Sequence, residues 1–184
     1  MPRLVRLVGA LLSGAVLLAQ PALVPPASAQ SSRPPAEAPS GPRAIGTFGA
    51  WTAAVVTEAG GRVCYALTRA GSEAAAARGA ATLTVSHRTG RRDQVAFQGG
   101  GHRFQRNAAA VLKVGDTELA FYTHADTAYA RDNAAAIAAM RAGRDAVARV
   151  PGPNGRGSAT ETFSLAGFSA AYEAIGRECP PPRR

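Results

Sequence analysis

The chain has few cysteines, few aromatic residues and no long uninterrupted apolar run. Its two cysteines allow a single disulfide connectivity, and aromatic residues make up 6% of the sequence. Nucleic-acid binding is disfavoured, because aromatic side chains that could stack on bases are sparse. The apolar stretch near the N-terminus is interrupted by Gly and Pro. It is shorter than the about 20 residues that a bilayer-spanning helix needs.

The sequence also lacks a recognisable catalytic or metal-binding motif. It has no Gly-x-Ser-x-Gly elbow and no reactive-cysteine context. Gly99–Gly101 does not precede the helix and Lys of a phosphate loop, so we predict a flexible loop there. His87, His102 and His124 are predicted to occupy surface or loop positions. His124 and Asp126 would supply only two ligands of a metal site. We therefore predict no catalytic residue, no cofactor, no metal and no enzymatic activity.

Residues 1–29 have the pattern of a secretory signal peptide. Arg3 and Arg6 precede an apolar stretch that runs from Leu7 to about Ala19. Ala27-Ser28-Ala29 is the small-x-small pattern of a cleavage site, which predicts a mature chain beginning at Gln30. The alternative is a retained membrane anchor. We expect a periplasmic location, with secretion or outer-membrane association as the alternatives.

The rest of the chain is predicted to form one domain behind a short leader. Gln30–Arg43 is rich in Pro, Ser and Ala and has no apolar periodicity, which predicts disorder. Residues 44–180 have the length of a single domain with a real core, and residues 181–184 form a tail.

Alternating apolar and polar residues predict an antiparallel β domain. Leu83 and Val85 alternate with Thr and Ser, and Val95 and Phe97 repeat the pattern. Gly115-Asp116 is a hairpin signal. The fold class is mostly β, an antiparallel sandwich or barrel. The predicted strands are Ala50–Val56, Arg62–Thr68, Ala81–Arg88, Gln94–Gln98, Ala110–Val114, Glu118–Thr123, Asp145–Val150 and Ala159–Leu165.

Two segments are predicted to be helices, at about residues 132–142 and 168–178. The first begins at a capping Asp132 and ends before Gly143. The second places an apolar stripe on one face, which we expect to face the core. The members of this stripe are Phe168, Tyr172, Ile175 and Cys179.

An exported chain with two cysteines is expected to pair Cys64 with Cys179. The bond would close a loop of 115 residues (179 minus 64). In the chain-entropy model such a loop contributes about 4–5 kcal/mol as an upper figure. The alternative is two free buried thiols.

Several short segments resemble the invasion-associated locus B family of exported bacterial proteins. Phe48-Gly-Ala-Trp51 and Val63-Cys-Tyr65 are similar to the opening of that family's domain. Ala139–Gly143 and the run from Gly155 to Phe168, followed by Cys179, look like its C-terminal pattern. The resemblance spans about residues 46–179. Many members carry a further cysteine soon after the Trp, where this chain has Thr52-Ala-Ala-Val55.

The resemblance implies a β-rich, sandwich-like exported domain with short helices and no catalytic motif to carry over. We expect a non-catalytic envelope protein that acts through a protein or an anionic ligand. The alternative is a periplasmic enzyme or enzyme inhibitor with an unrecognised site between the sheet and a helix. A cavity lined by a histidine and a carboxylate would favour that alternative.

Charge points to a candidate anion-binding patch. Removing Arg3 and Arg6 leaves 19 basic and 12 acidic residues, a net charge of +7. The partner would be an envelope or host protein, or an anionic envelope component such as lipopolysaccharide phosphate or an acidic glycan. Solvated loops are the alternative, because 20 of the 21 basic residues are arginine. The predicted patch consists of His87, Arg88, Arg91, Arg92, Arg103 and Arg106.

Overall fold

The computed structural model describes residues 40–71, 81–99, 104, 108–151 and 158–182. All of these residues belong to the unit Ala36–Arg184. The predicted signal peptide lies outside the described residues, as do residues 30–39 of the predicted leader and 183–184 of the tail. Arg103 and Arg106 of the predicted patch also lie outside them, together with Gly100, Gly101 and His102.

The described part of the domain contains ten strands and two helices, as the mostly β class predicts. The strands are β1 (Ser40–Phe48), β2 (Trp51–Glu58), β3 (Gly61–Arg69), β4 (Thr82–Arg88), β5 (Arg91–Gln98), β6 (Ala109–Val114), β7 (Thr117–His124), β8 (Thr127–Ala130), β9 (Asp145–Pro151) and β10 (Ser158–Ser164). The helices are α1 (Asn133–Ala142) and α2 (Phe168–Glu178), close to the predicted bounds.

All ten strands form one antiparallel sheet in the order β1-β2-β3-β4-β5-β8-β7-β6-β9-β10. The sheet curls into a half-barrel. Its far end returns toward β2 and β3, where Gly71 N–H donates to Thr162 O at 3.2 Å and Ala50 N–H donates to Ala166 O at 2.9 Å. The predicted antiparallel β architecture is confirmed as a single curled sheet.

Two strands were not predicted from the sequence. β1 begins at Ser40, so the last four residues assigned to the leader, Ser40–Arg43, belong to the sheet. β1 contains Gly and Pro and pairs with β2 through register shifts, which hides the alternation of a regular strand. β8 is only four residues long. Elements this short leave too little alternating pattern to identify.

The core fills the inside of the half-barrel. Leu83, Val85, Val95 and Phe97 are buried there, as the alternation predicts. α1 packs against β5 and β7, and α2 packs against β1 to β4. The two described helices therefore pack on the inner face of the sheet and not on its outer face.

α1 has the predicted start and end, but Gly143 does not adopt the left-handed conformation typical of a glycine that ends a helix. Asp132 Oδ1 accepts a hydrogen bond from Ala135 N–H at 2.9 Å, as an N-cap does. Gly143 has φ −88°, which any residue can adopt. A Cβ there would lie closer than 3.0 Å to Val114 Cγ1. Close packing against Val114, rather than a left-handed turn, disfavours a larger residue at this position.

The two segments that carry the family resemblance pack against each other. The Trp51 and Phe168 rings lie 4.9 Å apart. Trp51 Nε1–H donates to Ser164 O at 3.0 Å. Gly167 has φ +90°, and the backbone of Phe48 passes so close that a Cβ on Gly167 would overlap it. These motifs therefore hold the end of the sheet and the start of α2 against the start of β2.

The predicted disulfide between Cys64 and Cys179 is present, with the Cα atoms 6.0 Å apart. Both cysteines are consumed by this bond, which excludes the alternative of free thiols. Cys179 directly follows α2, and Cys64 lies in the middle of β3. The bond therefore fixes the C-terminal end of the helix to an early strand, while the Gly167 bend fixes its beginning.

Candidate functional site

A groove opens beside the disulfide, between the β4–β5 turn and the end of α2. We call this the disulfide groove. It encloses about 590 Å³. Its lining includes Arg62, Arg88, Arg92, the Thr89–Gly90 turn, Glu178, Cys179, Pro180 and Pro182. His87 also lines it. Its volume falls within the range of about 300–1,000 Å³ that is usual for small-ligand sites.

Each arginine of the disulfide groove contacts one other described residue through its side chain. Arg92 donates from Nη1 to the carbonyl oxygen of Cys179. Arg88 pairs with Glu58, and Arg62 Nη2 lies 3.5 Å from Glu178 Oε1. A guanidinium has five N–H donors, so each group keeps donors for a ligand. Glu178 is the acidic residue among the described residues that line the groove.

The structure brings together only part of the predicted anionic-partner patch. Arg88 and Arg92 line the disulfide groove, and Arg88 also lines, with Arg91, a depression on the outer face of the sheet. Neighbouring residues of a strand point to opposite faces, so Arg91 and Arg92 diverge. Arg62 was not predicted, because it belongs to a strand far away in sequence. Arg62 lies close to Arg88 because β3 pairs with β4, and this pairing cannot be inferred from the sequence alone.

The prediction that His87 lies on the surface is wrong. Its side chain is 1% exposed. His87 follows Leu83 and Val85 at intervals of two, so the alternation that identified β4 also directs His87 inward. The sequence prediction instead grouped His87 with the arginines around the β4–β5 turn. His124, at the end of β7, is exposed as predicted.

His87 belongs to a polar cluster that joins the β4–β5 hairpin to α2. Its Nδ1 accepts a hydrogen bond from Asp93 N–H at 3.3 Å. Tyr172 OH donates to Asp93 Oδ1 at 2.6 Å, and the Tyr172 ring packs edge-on against His87. A bulge puts Arg92 and Asp93 opposite His87. Asp93 adopts φ +59°, a conformation that Asp tolerates better than most residues.

The pKa values of this cluster follow from burial and from its hydrogen bonds. Burial lowers the pKa of His87, and the nearby Arg92 lowers it further, while Asp93 acts in the opposite direction. The pKa of Tyr172 is raised to about 12, first by burial and then by its hydrogen bond to Asp93. Arg141 lies over the Tyr172 ring at 4.9 Å from its centroid. His87 is therefore neutral at pH 7, with its proton on Nε2.

We expect stability to fall in mild acid because of His87. In the unfolded chain the imidazole of His87 takes up a proton near pH 6.5. In the folded protein its pKa is lower, so protonation requires a more acidic pH. The contribution of His87 to the free energy of unfolding should therefore be fully present above about pH 6.5. It should decrease as the pH drops toward the lowered pKa. His87→Asn, which keeps an acceptor near the position of Nδ1, should flatten this decrease. Urea unfolding from pH 7.5 to 4.5 measures it.

His124→Asn provides the matched control, because it removes an exposed imidazole. Its pH profile should follow that of the wild type. A wild-type profile that does not change between pH 7 and pH 5, or a His87→Asn profile as steep as the wild type's, would contradict the assignment.

The described residues hold no group of three or more His, Cys, Asp or Glu side chains placed to bind a metal ion. Asp126, the second residue of the alternative metal pair, accepts a hydrogen bond from Thr127 Oγ1 at 3.0 Å. None of the helices in the described ranges has both the length and the apolar character needed to cross a bilayer.

No protein-family model matches the sequence, and no curated protein matches it either. A structural match was found with the crystal structure of invasion associated protein B from Bartonella henselae. The TM-score is 0.55 at 15% sequence identity, and the match covers 76% of this chain and 98% of the other. The two chains share a fold. The resemblance to the invasion-associated locus B family is thus confirmed at the level of the fold.

Proposed function

We propose that this chain is an exported, non-catalytic protein of the bacterial envelope that binds an anionic partner in the disulfide groove. The signal-like start and the fold shared with an invasion associated protein support export and an envelope role. The disulfide supports folding in an oxidising compartment such as the periplasm. Secretion or outer-membrane association after export is compatible with the same features.

The observation that carries the proposal is the convergence of Arg62, Arg88 and Arg92 on one concave site. Guanidinium groups form strong, directional hydrogen bonds with phosphate and carboxylate oxygens. Arg92 is already oriented by the Cys179 carbonyl, so less side-chain entropy is lost when a ligand binds. The groove therefore suits a phosphate or carboxylate group on an envelope component.

The alternative of an enzyme or enzyme inhibitor has one observation in its favour. The disulfide groove is lined by a histidine and a carboxylate, His87 and Glu178. His87, however, is buried and uses Nδ1 to accept a hydrogen bond from Asp93. Glu178 pairs with Arg43 at 2.6 Å and with Arg62. Because these contacts engage His87 Nδ1 and the Glu178 carboxylate within the protein, they support the binding proposal.

Arg62→Gln combined with Arg92→Gln should weaken binding to phosphate-bearing lipopolysaccharide by roughly tenfold or more. Charge-assisted hydrogen bonds contribute about 1.5–3 kcal/mol each. A tenfold loss is about 1.4 kcal/mol, so it corresponds to one such bond at the weak end of that range. The variant should also reduce the salt dependence of the affinity, because fewer charges are paired on binding. Calorimetric titration at two salt concentrations measures both effects.

Arg69→Gln combined with Arg149→Gln is the matched control, since it removes the same charge from exposed positions that do not line the disulfide groove. This control should bind like the wild type. Equal losses in both double variants would assign the effect to net charge alone. A wild-type protein with no salt-sensitive affinity for lipopolysaccharide would refute binding of this component in the groove.

A further inference from the structure

The outer face of the sheet carries a second concave surface, and Arg88 is the described residue that lines both this surface and the disulfide groove. Small side chains, Thr84, Ser86 and Ala96, occupy its middle, and Tyr65 and Tyr129 stand on either side. We call this surface the outer trough. It encloses about 430 Å³. The helices pack on the opposite face, so nothing in the described part of the chain covers it.

Strand register explains how these residues come together. Tyr65 lies opposite Ser86, and Ser86 lies opposite Gln94. In the next row, Thr84 lies opposite Ala96, and Ala96 lies opposite Tyr129. Directly paired residues point to the same face of an antiparallel sheet. Two rows of small residues thus run between tyrosines from distant parts of the chain.

A second depression of about 480 Å³ adjoins the outer trough and shares Arg88, Gln94 and Tyr129 with it. Tyr122 stacks on Tyr129 there, with ring centroids 5.5 Å apart, and remains 43% exposed. Arg91 also lines this depression, and its side chain makes no hydrogen bond or ion pair to another described residue. Because they share three lining residues, the two depressions form one continuous surface.

The lining has the chemistry of a sugar-binding surface. Tyrosine rings offer flat apolar faces with a polar tip, which suit the C–H faces and hydroxyl groups of a sugar. Hydroxyl and amide groups, which both donate and accept hydrogen bonds, line the trough between the rings. These groups belong to Thr84, Ser86, Gln94, Gln98 and Thr127.

The charged residues around the two depressions favour an acidic sugar. Glu58 is the acidic residue among the described residues that line the two depressions, and it pairs with Arg88. Arg91 remains available for a ligand. A peptide strand is disfavoured as the occupant, because β4 and β5 are paired on both sides and offer no free backbone edge. We propose that the outer trough binds a carboxylated glycan, with sugar rings against Tyr65 and Tyr129 and a carboxylate at Arg91.

This proposal does not depend on the disulfide groove, and its test separates the two surfaces. The probe is trigalacturonate, titrated into the mature protein beside the neutral trisaccharide galactotriose. Tyr129→Ala should weaken trigalacturonate binding by roughly tenfold, whereas Tyr129→Phe, which keeps the ring, should stay within about twofold. Ala96→Gln, which fills the floor, should also weaken it. Arg91→Gln should lower the affinity to that for galactotriose.

The double variant Arg62→Gln, Arg92→Gln should retain trigalacturonate binding, which distinguishes the outer trough from the disulfide groove. Melting temperatures show that each variant is folded. Galactotriose bound as tightly as trigalacturonate by the wild type would overturn the carboxylate assignment. The site itself would be refuted by no detectable trigalacturonate binding, by wild-type affinity in both Tyr129→Ala and Ala96→Gln, or by tighter binding of a polyglutamate peptide.

Discussion

Gly167→Ala is expected to destabilise the protein severely, by on the order of 3–5 kcal/mol. Gly167 has φ +90°, which L-residues with a side chain rarely adopt. The added Cβ would also lie closer than 3.0 Å to the carbonyl oxygen and carbon of Phe48, both backbone atoms. The overlap cannot be relieved without moving the end of β1 and the β1–β2 turn away from the start of α2. Chemical unfolding monitored by the fluorescence of Trp51, which lies at this crossing, measures the loss.

Gly176→Ala is the matched control within the same helix. Nothing lies within 4 Å of a Cβ built at Gly176. Replacing a glycine inside a helix by alanine should stabilise it by up to about 1 kcal/mol. The two substitutions are chemically identical and should act in opposite directions. Similar stabilities for the two variants would show that the crossing is not a constraint on the fold.

Removal of the disulfide by Cys64→Ser together with Cys179→Ser should have the second large effect. The chain-entropy model gives an upper loss of about 4–5 kcal/mol for this loop of 115 residues. In a domain of this size, such a loss would lower the melting temperature by roughly 10 °C or more. α2 would then be held by noncovalent contacts alone, so limited proteolysis should cut first after Leu165. Thermal scans and mapped proteolysis report both results.

Reductant separates loss of the bond from damage caused by the new serines. Wild-type protein treated with reductant should melt near the temperature of the double variant. The variant itself should be unaffected by reductant. If reduction does not change the wild-type melting temperature, the bond contributes little to stability.

The sequence predicts the hairpins and both helices well because local patterns determine them. Leu83 and Val85 alternate with polar residues, and Phe168 and Ile175 share a helical stripe, so burial can be inferred without tertiary information. The pairing of Cys64 with Cys179 follows from their number and from an expected oxidising compartment. These features depend on residue period and composition, which are visible in one chain.

The candidate sites are harder to predict, because they depend on sheet order and register. Arg62 meets Arg92 only because β3, β4 and β5 are neighbours. The bulge that places both Arg92 and Asp93 opposite His87 has no signal in the alternation. Tyr65 and Tyr129 lie far apart in the chain and reach the outer trough through several strand pairings. Sequence therefore supplied the charged and aromatic residues but not their grouping.

The motifs that carry the family resemblance prove to be structural. Phe48–Trp51 meets Ser164–Phe168 at the Gly167 bend, and Cys64 meets Cys179 at the other end of α2. Both sets of contacts attach α2 to the sheet. A resemblance based on such motifs identifies a fold without identifying a ligand. This is why the proposed partners are derived from the two grooves.

We propose that the chain is exported and folds with its last helix fixed by the Cys64–Cys179 bond. Mass spectrometry of protein alkylated inside intact cells tests both parts of this proposal together. We predict a mature chain that begins at Gln30, a linked peptide pair containing Cys64 and Cys179, and no alkylated thiol before reduction. A chain that retains Met1 or Pro2, with both thiols alkylated in the native protein, would contradict the account.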